Sequence, residues 1–288
     1  MASGWRRLGV VAGSGALPVR ILEAERSAGR EPFAVRLFQD EALTAFEHRD
    51  HSIAEPGAVM KSLKKAGCDA VCFAGVVKRP NFAALRPDWQ GAMLLPKVVS
   101  AARQGDGAII DVIVALFEKE GFTIVAAEDA AGDLRAAPGP LGQYKPQAED
   151  FADIHKATQL IEALGPFDVG QGAVVRRGFV LAVEAAEGTD AMLDRCAQLP
   201  DELKGQEPGE KAQPRGVLVK VPKPAQERRV DLPTIGVPTV ERLAAAGLAG
   251  VAVRVGAALI VDQQAVREAA DQHGLFVYGF TDDELTGQ

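Results

Sequence analysis

The chain has 288 residues, a formal net charge of −7, and 47% apolar against 25% charged residues. That is the make-up of a globular protein with room for two cores, and its acidic balance excludes nucleic acid as a broad electrostatic partner. Cys68, Cys72 and Cys196 form no disulfide framework; with no leader peptide and no apolar run long enough to cross a bilayer, the chain reads as cytoplasmic.

In chain order, an apolar run at Leu8–Ala12 leads into G-S-G-A-L-P at 13–18 and then a helix that Gly29 ends. Strand, glycine turn and helix is a frame for holding a phosphate, although Pro18 stands where a dinucleotide fingerprint has its third glycine. The turn serves either ligand contact or a tight structural bend. Residues 33–38 read as a second strand, 58–66 as a helix and 70–74 as a buried strand that exits in G-V-V-K-R-P at 75–80. Arg79, ahead of a proline at that exit, suits an anion or a solvated loop. Helices at 94–102 and 108–119 and a strand at 122–127 complete an alternation that predicts a parallel or mostly parallel sheet.

Glycine and proline then cluster, and 133–150 reads as a linker between an N-terminal domain at 1–132 and a C-terminal domain at 151–288. A helix at 153–163 follows. The apolar run 179–183 ends on Glu184, and E-G-T-D-A-M occupies 187–192. Glu184, Glu187, Thr189 and Asp190 place four oxygen-bearing side chains within seven residues. Such a set suits a hard cation; Thr189 as helix N-cap with Asp190 in the first turn is the plainer account. After an exposed loop at 201–214, the apolar run 216–221 carries Lys220, and Lys223 sits between Pro222 and Pro224. Lysines suit phosphate oxygens as point charges, or they are ordinary surface residues. Asp231 lies between Val230 and Leu232, with Thr234 and Gly236 beyond; it either caps a turn or takes part in chemistry. A helix from Thr239, strands at 250–255 and 259–261, a helix at 264–272 and a strand at 275–278 close the chain. The four histidines are scattered and form no zinc pattern.

Five segments in order, G-S-G-A-L-P, C-F-A-G-V-V-K-R-P, D-V-G-Q-G-A-V-V, L-A-V-E-A-A-E-G-T-D-A-M and K-P-A-Q-E-R-R-V-D-L-P-T-I-G, resemble UDP-2,3-diacylglucosamine pyrophosphatase of lipid A biosynthesis. This is the two-domain family that replaces the calcineurin-like metallophosphoesterase in many Gram-negative bacteria. The resemblance runs from about Leu8 to Gly279. It implies an α/β chain with a Rossmann-like N-terminal domain, a second α/β domain and the ligand between them. It also implies Mg2+-dependent hydrolysis of UDP-2,3-diacylglucosamine to UMP and 2,3-diacylglucosamine 1-phosphate (lipid X), with water attacking the phosphorus on the glucosamine side.

Carried over residue by residue, the resemblance makes Asp231 the catalytic acid and Asp231, Asp190 and Glu187 the metal ligands. Substrate contacts fall on Gly13, Gly15, Leu17 and Pro18 in the first segment and on Gly75 and Arg79 in the second. Further along they fall on Gln171, on Gly188, Thr189 and Asp190, on Lys220 and Lys223, and on Thr234 and Gly236. Peripheral contact with the inner membrane and a homodimer are both compatible with it. The chain departs from the family pattern at A-E-P-G-A, where a lysine is absent at Ala58, and at Gly107, where a second acid is absent. Two other readings stand beside it: a non-catalytic nucleotide-sugar or lipid-phosphate binding protein, and an NAD-dependent oxidoreductase resting on the first βα turn.

Overall fold

The computed structural model describes residues 4–77, 85–103, 105–200, 202–203, 215–224 and 226–286. The chain divides into two compact units, one of residues 1–132 with 227–231, the other of residues 133–226 with 232–288.

The first unit is built on a five-stranded sheet. Its strands are β1 (Leu8–Ala12), β2 (Phe33–Arg36), β3 (Glu47–Asp50), β4 (Ala70–Ala74) and β5 (Thr123–Ile124). They lie in the order β3-β2-β1-β4-β5, every pairing parallel. β1 is buried along its whole length, as expected of a parallel strand covered on both faces, which is why it reads as a continuous apolar run. Helices α1 (Leu17–Ser27), α2 (Pro56–Lys65), α3 (Trp89–Ala101) and α4 (Asp106–Lys119) lie between them, a 3-10 turn at Glu41–Ala45 joins β2 to β3, and α5 (Ala127–Ala130) follows β5. Val35, Val59, Leu63, Val71 and Phe117 share one core cluster. Strand order reverses between β1 and β4, so their carboxyl ends form the switch point where open α/β sheets bind ligands.

Two elements depart from the sequence reading. β3 was not expected, because E-H-R-D shows no apolar alternation. It is a charged edge strand, held to β2 by Arg36, whose guanidinium donates to Asp50 at 2.6 and 2.8 Å. Such charge is common on sheet edges. The strand expected at 122–127 pairs only at Thr123–Ile124, and α5 begins at Ala127.

The second unit carries a six-stranded mixed sheet. Its strands are β6 (Gly139–Pro140), β7 (Gly172–Arg176), β8 (Phe179–Val183), β9 (Val217–Lys220), β11 (Gly250–Arg254) and β13 (Phe276–Phe280), in the order β6-β13-β11-β9-β7-β8. β10 (Thr234–Ile235) and β12 (Leu259–Ile260) form a separate parallel pair. β9, β11 and β13 run parallel, whereas β6, β7 and β8 are antiparallel to their neighbours. The mostly parallel expectation, drawn from the N-terminal alternation, fits the first unit; the second unit's sheet is mixed. Helix α6 (Ala148–Leu164) covers one face through Ile154, Ala157 and Ile161. Helices α7 (Gly188–Ala197), α8 (Val237–Ala245) and α9 (Gln263–His273) cover the other; α10 (Asp282–Thr286) ends the described chain.

β7 was not recognised as a strand. It forms a hairpin with β8, whose turn places Arg177 at φ 47° and Gly178 at φ 76°; the buried Asp153 carboxylate accepts both turn amides, at 2.8 and 2.7 Å. The stretch 133–150, read as a linker, is packed. β6 pairs with β13, Leu141 N–H donates to Val277 at 2.9 Å, and α6 starts at Ala148. Short G-P strands carry no apolar period, so the sequence shows only their turn residues.

Within the first unit, Glu25 is fully buried and its carboxylate is held by Arg30 at 2.7 Å and by the Trp5 indole N–H at 3.2 Å. Arg30→Met should leave a buried charge without its cation and cost about 3–5 kcal/mol, read as a lower urea midpoint. A loss below about 1 kcal/mol would show that Trp5 alone satisfies the carboxylate.

Candidate functional site

At the switch point of the first unit the turns after β1 and β4 are locked to each other. Gly13 N–H donates to Ala74 at 2.8 Å, and Ser14 and Val76 exchange backbone hydrogen bonds at 2.9 and 2.8 Å. Gly75 sits at φ 88°, and a Cβ there would lie 2.7 Å from the Ser14 carbonyl and 3.0 Å from Pro18 Cγ, so only glycine fits. The expected contacts Gly13, Gly75 and Pro18 thus come together, with Gly15 exposed and Leu17 opening α1. Arg79 lies outside the described residues.

In the second unit three strand ends meet. Gly172 at the start of β7 is in register with Lys220 at the end of β9, and Glu184, just past β8, donates its N–H to the Gly172 carbonyl at 2.8 Å. Period-two alternation sends Leu218 and Lys220 toward the α7 face. Lys220 is only 6% exposed, and its ammonium donates to Thr189 Oγ1 at 2.6 Å. The Thr189 hydroxyl donates to Glu184 Oε1 at 2.9 Å, and Glu184 Oε2 accepts the Gln171 N–H at 3.3 Å. Thr189 is therefore not the N-cap of α7. The cap position is Glu187, the helix opens at Gly188, and the Thr189 hydroxyl turns sideways to the sheet.

Lys223 pairs with Asp168, a residue in the left-handed region, and its N–H donates to Gln226 Oε1 at 2.8 Å. Rather than a solvated surface cation, it is a largely buried one, its side chain 11% exposed.

The acids expected to gather around a metal do not form a cage. Glu187 pairs with Arg195 at 2.8 Å; a hydrogen bond from its own backbone N–H, then the Arg195 guanidinium, hold its carboxyl below the usual range. Asp190 faces Arg242 at 3.5 Å. Among the described residues no three His, Cys, Asp or Glu side chains are grouped to share an ion. Nor do the cysteines offer a nucleophile: all three are buried, and desolvation pushes the Cys68 thiol up to about 11 and Cys72 up to about 12.

The segment 228–236 is divided between the units. Residues 227–231 belong to the first, although the surrounding sequence belongs to the second, which corrects the single C-terminal domain at 151–288. Val230 packs on the first unit's core cluster. Arg229 donates to Glu227 at 2.7 Å and to Glu118 of α4 at 2.8 Å, and the Asp231 N–H donates to the Glu227 carbonyl at 3.0 Å. Asp231 is thereby held, half-buried, at the end of a five-residue tongue. Past it, Thr234 Oγ1 donates to the Leu232 carbonyl at 3.1 Å. Gly236 caps α8, which opens at Val237 rather than Thr239; the Gly236 N–H donates to Thr239 Oγ1 at 3.4 Å. Glu118, Arg229 and Asp168 were not singled out in the sequence: Arg229 and Asp168 lie inside quoted segments without a role of their own, and the only signal at Glu118 is charge, which surface residues share.

Fold and site define a two-unit α/β protein whose strand exits carry glycine turns, buried lysines and a tethered aspartate. The chain belongs to the LpxI family: its residues 7–134 match the LpxI N-terminal domain and 137–278 the LpxI C-terminal domain. It is 49% identical to the UDP-2,3-diacylglucosamine pyrophosphatase LpxI of Caulobacter vibrioides, over 97% of this chain and 99% of that one. A shorter similarity, 29% over 37% of this chain and 52% of the other, links it to the 3-isopropylmalate dehydratase small subunit of Kocuria rhizophila. Among solved structures, the CobK precorrin-6A reductase aligns over 96% of this chain and 87% of its own, at 13% identity and a TM-score of 0.32, a likeness too slight to argue from.

The Arg229–Glu118 pair is solvent-accessible, at 41% and 46% exposure, so its contribution to global stability is at most about 1 kcal/mol. Arg229→Ala should leave the unfolding midpoint nearly unchanged while speeding amide exchange at Val230 and Asp231. Unaltered exchange at both would show that Val230 packing alone holds the tongue.

Proposed function

We propose that this chain hydrolyses the diphosphate bond of UDP-2,3-diacylglucosamine, releasing UMP and 2,3-diacylglucosamine 1-phosphate in lipid A biosynthesis. The single observation that carries this reading is the 49% identity to the Caulobacter vibrioides pyrophosphatase, spanning 97% of this chain. The geometry supports it. A diphosphate brings negative charge, and Lys220 is a lysine held at 6% exposure where the chain leaves β9, with no carboxylate among the described residues in direct contact; a cation so desolvated interacts with an anion far more strongly than a solvated one does, while Lys223, proposed beside it, would exchange its Asp168 partner for the substrate. Among the described residues no helix is long and apolar enough to cross a membrane; cytoplasmic action on a lipid-linked substrate, peripheral membrane contact and a homodimer remain parts of the proposal.

Asp231 is the proposed catalytic acid, orienting the water that attacks the glucosamine-side phosphorus. Magnesium is likewise proposed. The paired Glu187 and Asp190 do not preform a cage, but this ion is commonly held by one or two carboxylates together with substrate phosphates, and Asp231, Asp190 and Glu187 are the acids proposed for it. Bound, it would offset the charge on the diphosphate and acidify the attacking water. Gly13, Gly15, Leu17, Pro18 and Gly75 are assigned to the substrate beside Gln171, Gly188, Thr189, Thr234 and Gly236.

The test is incubation of the purified chain with UDP-2,3-diacylglucosamine and magnesium in 18O-labelled water. UMP release is expected, with the label in the lipid phosphate; label in UMP would move the attack to the other phosphorus. Asp231→Asn should lower kcat by about 10^3-fold or more, within the range for removing a group that acts on the reacting water, while substrate still binds. Near-normal turnover from this variant would return Asp231 to a turn-capping role. Tight binding without turnover in the unaltered chain would instead favour a carrier of the lipid nucleotide.

A further inference from the structure

Glu184 stood among the acids of the α7 exit, yet among the described residues its carboxylate faces no cation directly. One oxygen accepts the Thr189 hydroxyl at 2.9 Å and the other the Gln171 amide at 3.3 Å. The preceding glycines are shaped around it. A Cβ at Gly170 would lie 2.0 Å from the Glu184 carbonyl, and one at Gly172 would lie 2.7 Å from its Oε2. The D-V-G-Q-G segment is therefore a cradle for this one glutamate.

The consequence reaches Lys220. A hydroxyl has a single proton, and Thr189 directs it to Glu184, so only lone pairs face the ammonium 2.6 Å away. An ammonium carries three protons. Among the described residues Thr189 is its one hydrogen-bond partner, which leaves two N–H groups for a ligand. A carboxylate in direct contact with Lys220 would compete with any incoming anion. Placed one hydroxyl away, it balances the buried charge without capping it.

We propose that Glu184 is the positioning residue of a phosphate subsite. Through Thr189 it holds the Lys220 ammonium in place and open to one anionic oxygen of the diphosphate, and through the Gln171 amide it fixes the neighbouring strand end. The identity of the anion rests on the function proposed above; the arrangement of Glu184, Thr189 and Lys220 does not.

The test is a double-mutant cycle of Glu184→Gln and Thr189→Val, followed by steady-state kinetics with UDP-2,3-diacylglucosamine and by calorimetric titration with inorganic pyrophosphate. Glu184→Gln keeps the side chain's size but removes its charge. It should raise KM about tenfold and weaken pyrophosphate binding by a similar factor, with kcat changed less than about threefold. Thr189→Val should do the same, and the double variant should be no worse than either single one, because both break one chain of contacts. A purely structural glutamate would instead lower kcat and the melting temperature together and leave pyrophosphate affinity unchanged. Additive losses, or a KM within twofold of the unaltered chain in Glu184→Gln, would overturn the proposal. If the unaltered chain fails to hydrolyse the lipid nucleotide, the proposed function falls, and the pyrophosphate titration still decides the role of Glu184: weaker binding in the variant sustains it and equal binding ends it.

Discussion

A lysine ammonium removed from water must be compensated, and at the end of β9 the compensation organises its surroundings. Lys220 is buried, so its charge costs several kcal/mol of hydration unless acceptors and opposite charge are near. The acceptor is Thr189, which requires α7 to begin at Gly188 beside the sheet. The opposite charge is Glu184, which requires β8 to end next to the start of β7. That in turn requires glycine at 170 and 172. One desolvated cation thus accounts for the composition of three separated stretches of sequence, none of which explains itself locally.

Asp231 is governed by a different constraint. Residues 227–231 leave the second unit's contacts for those of the first and return at Leu232. The acid proposed for chemistry is consequently carried by one unit, while Lys220, Lys223 and Thr189 are carried by the other. Val230 in the first unit's core cluster and Arg229 on Glu118 of α4 fix the tongue to its unit, while the Arg229–Glu227 pair braces it internally.

What the sequence made legible follows the same physics. Buried parallel strands announce themselves as apolar runs, so β1, β4, β9 and β11 lie where the sequence reading put them. Elements whose residues answer to a partner rather than to a period do not: β3 is charged because it is an edge, and β7 hides behind the glycines that accommodate Glu184. The turn at 13–18 and the strand exit at Gly75 were legible in the sequence, but the backbone hydrogen bonds between them were not, since nothing in either stretch names the other. Thr189 was misplaced for a related reason. A threonine ahead of an apolar run looks like a cap, and only the position of Glu184 and Lys220 shows that its hydroxyl is spent elsewhere.

The departure from the family pattern at Ala58 has a physical counterpart in the first unit. Where the resemblance leads one to expect a lysine, the Ala58 N–H in the first turn of α2 donates to Asp88 Oδ2 at 2.8 Å, and the other oxygen of Asp88 accepts the Gly91 N–H of α3 at 2.7 Å. One carboxylate therefore serves two helix N-termini, each of which favours negative charge. A Cβ at Gly57 would lie 2.7 Å from the same carboxylate, so the glycine that precedes Ala58 makes room for it. A second anion approaching α2 would meet this fixed carboxylate and be repelled. The negative charge that these two N-termini favour is accordingly supplied by the chain itself, through Asp88.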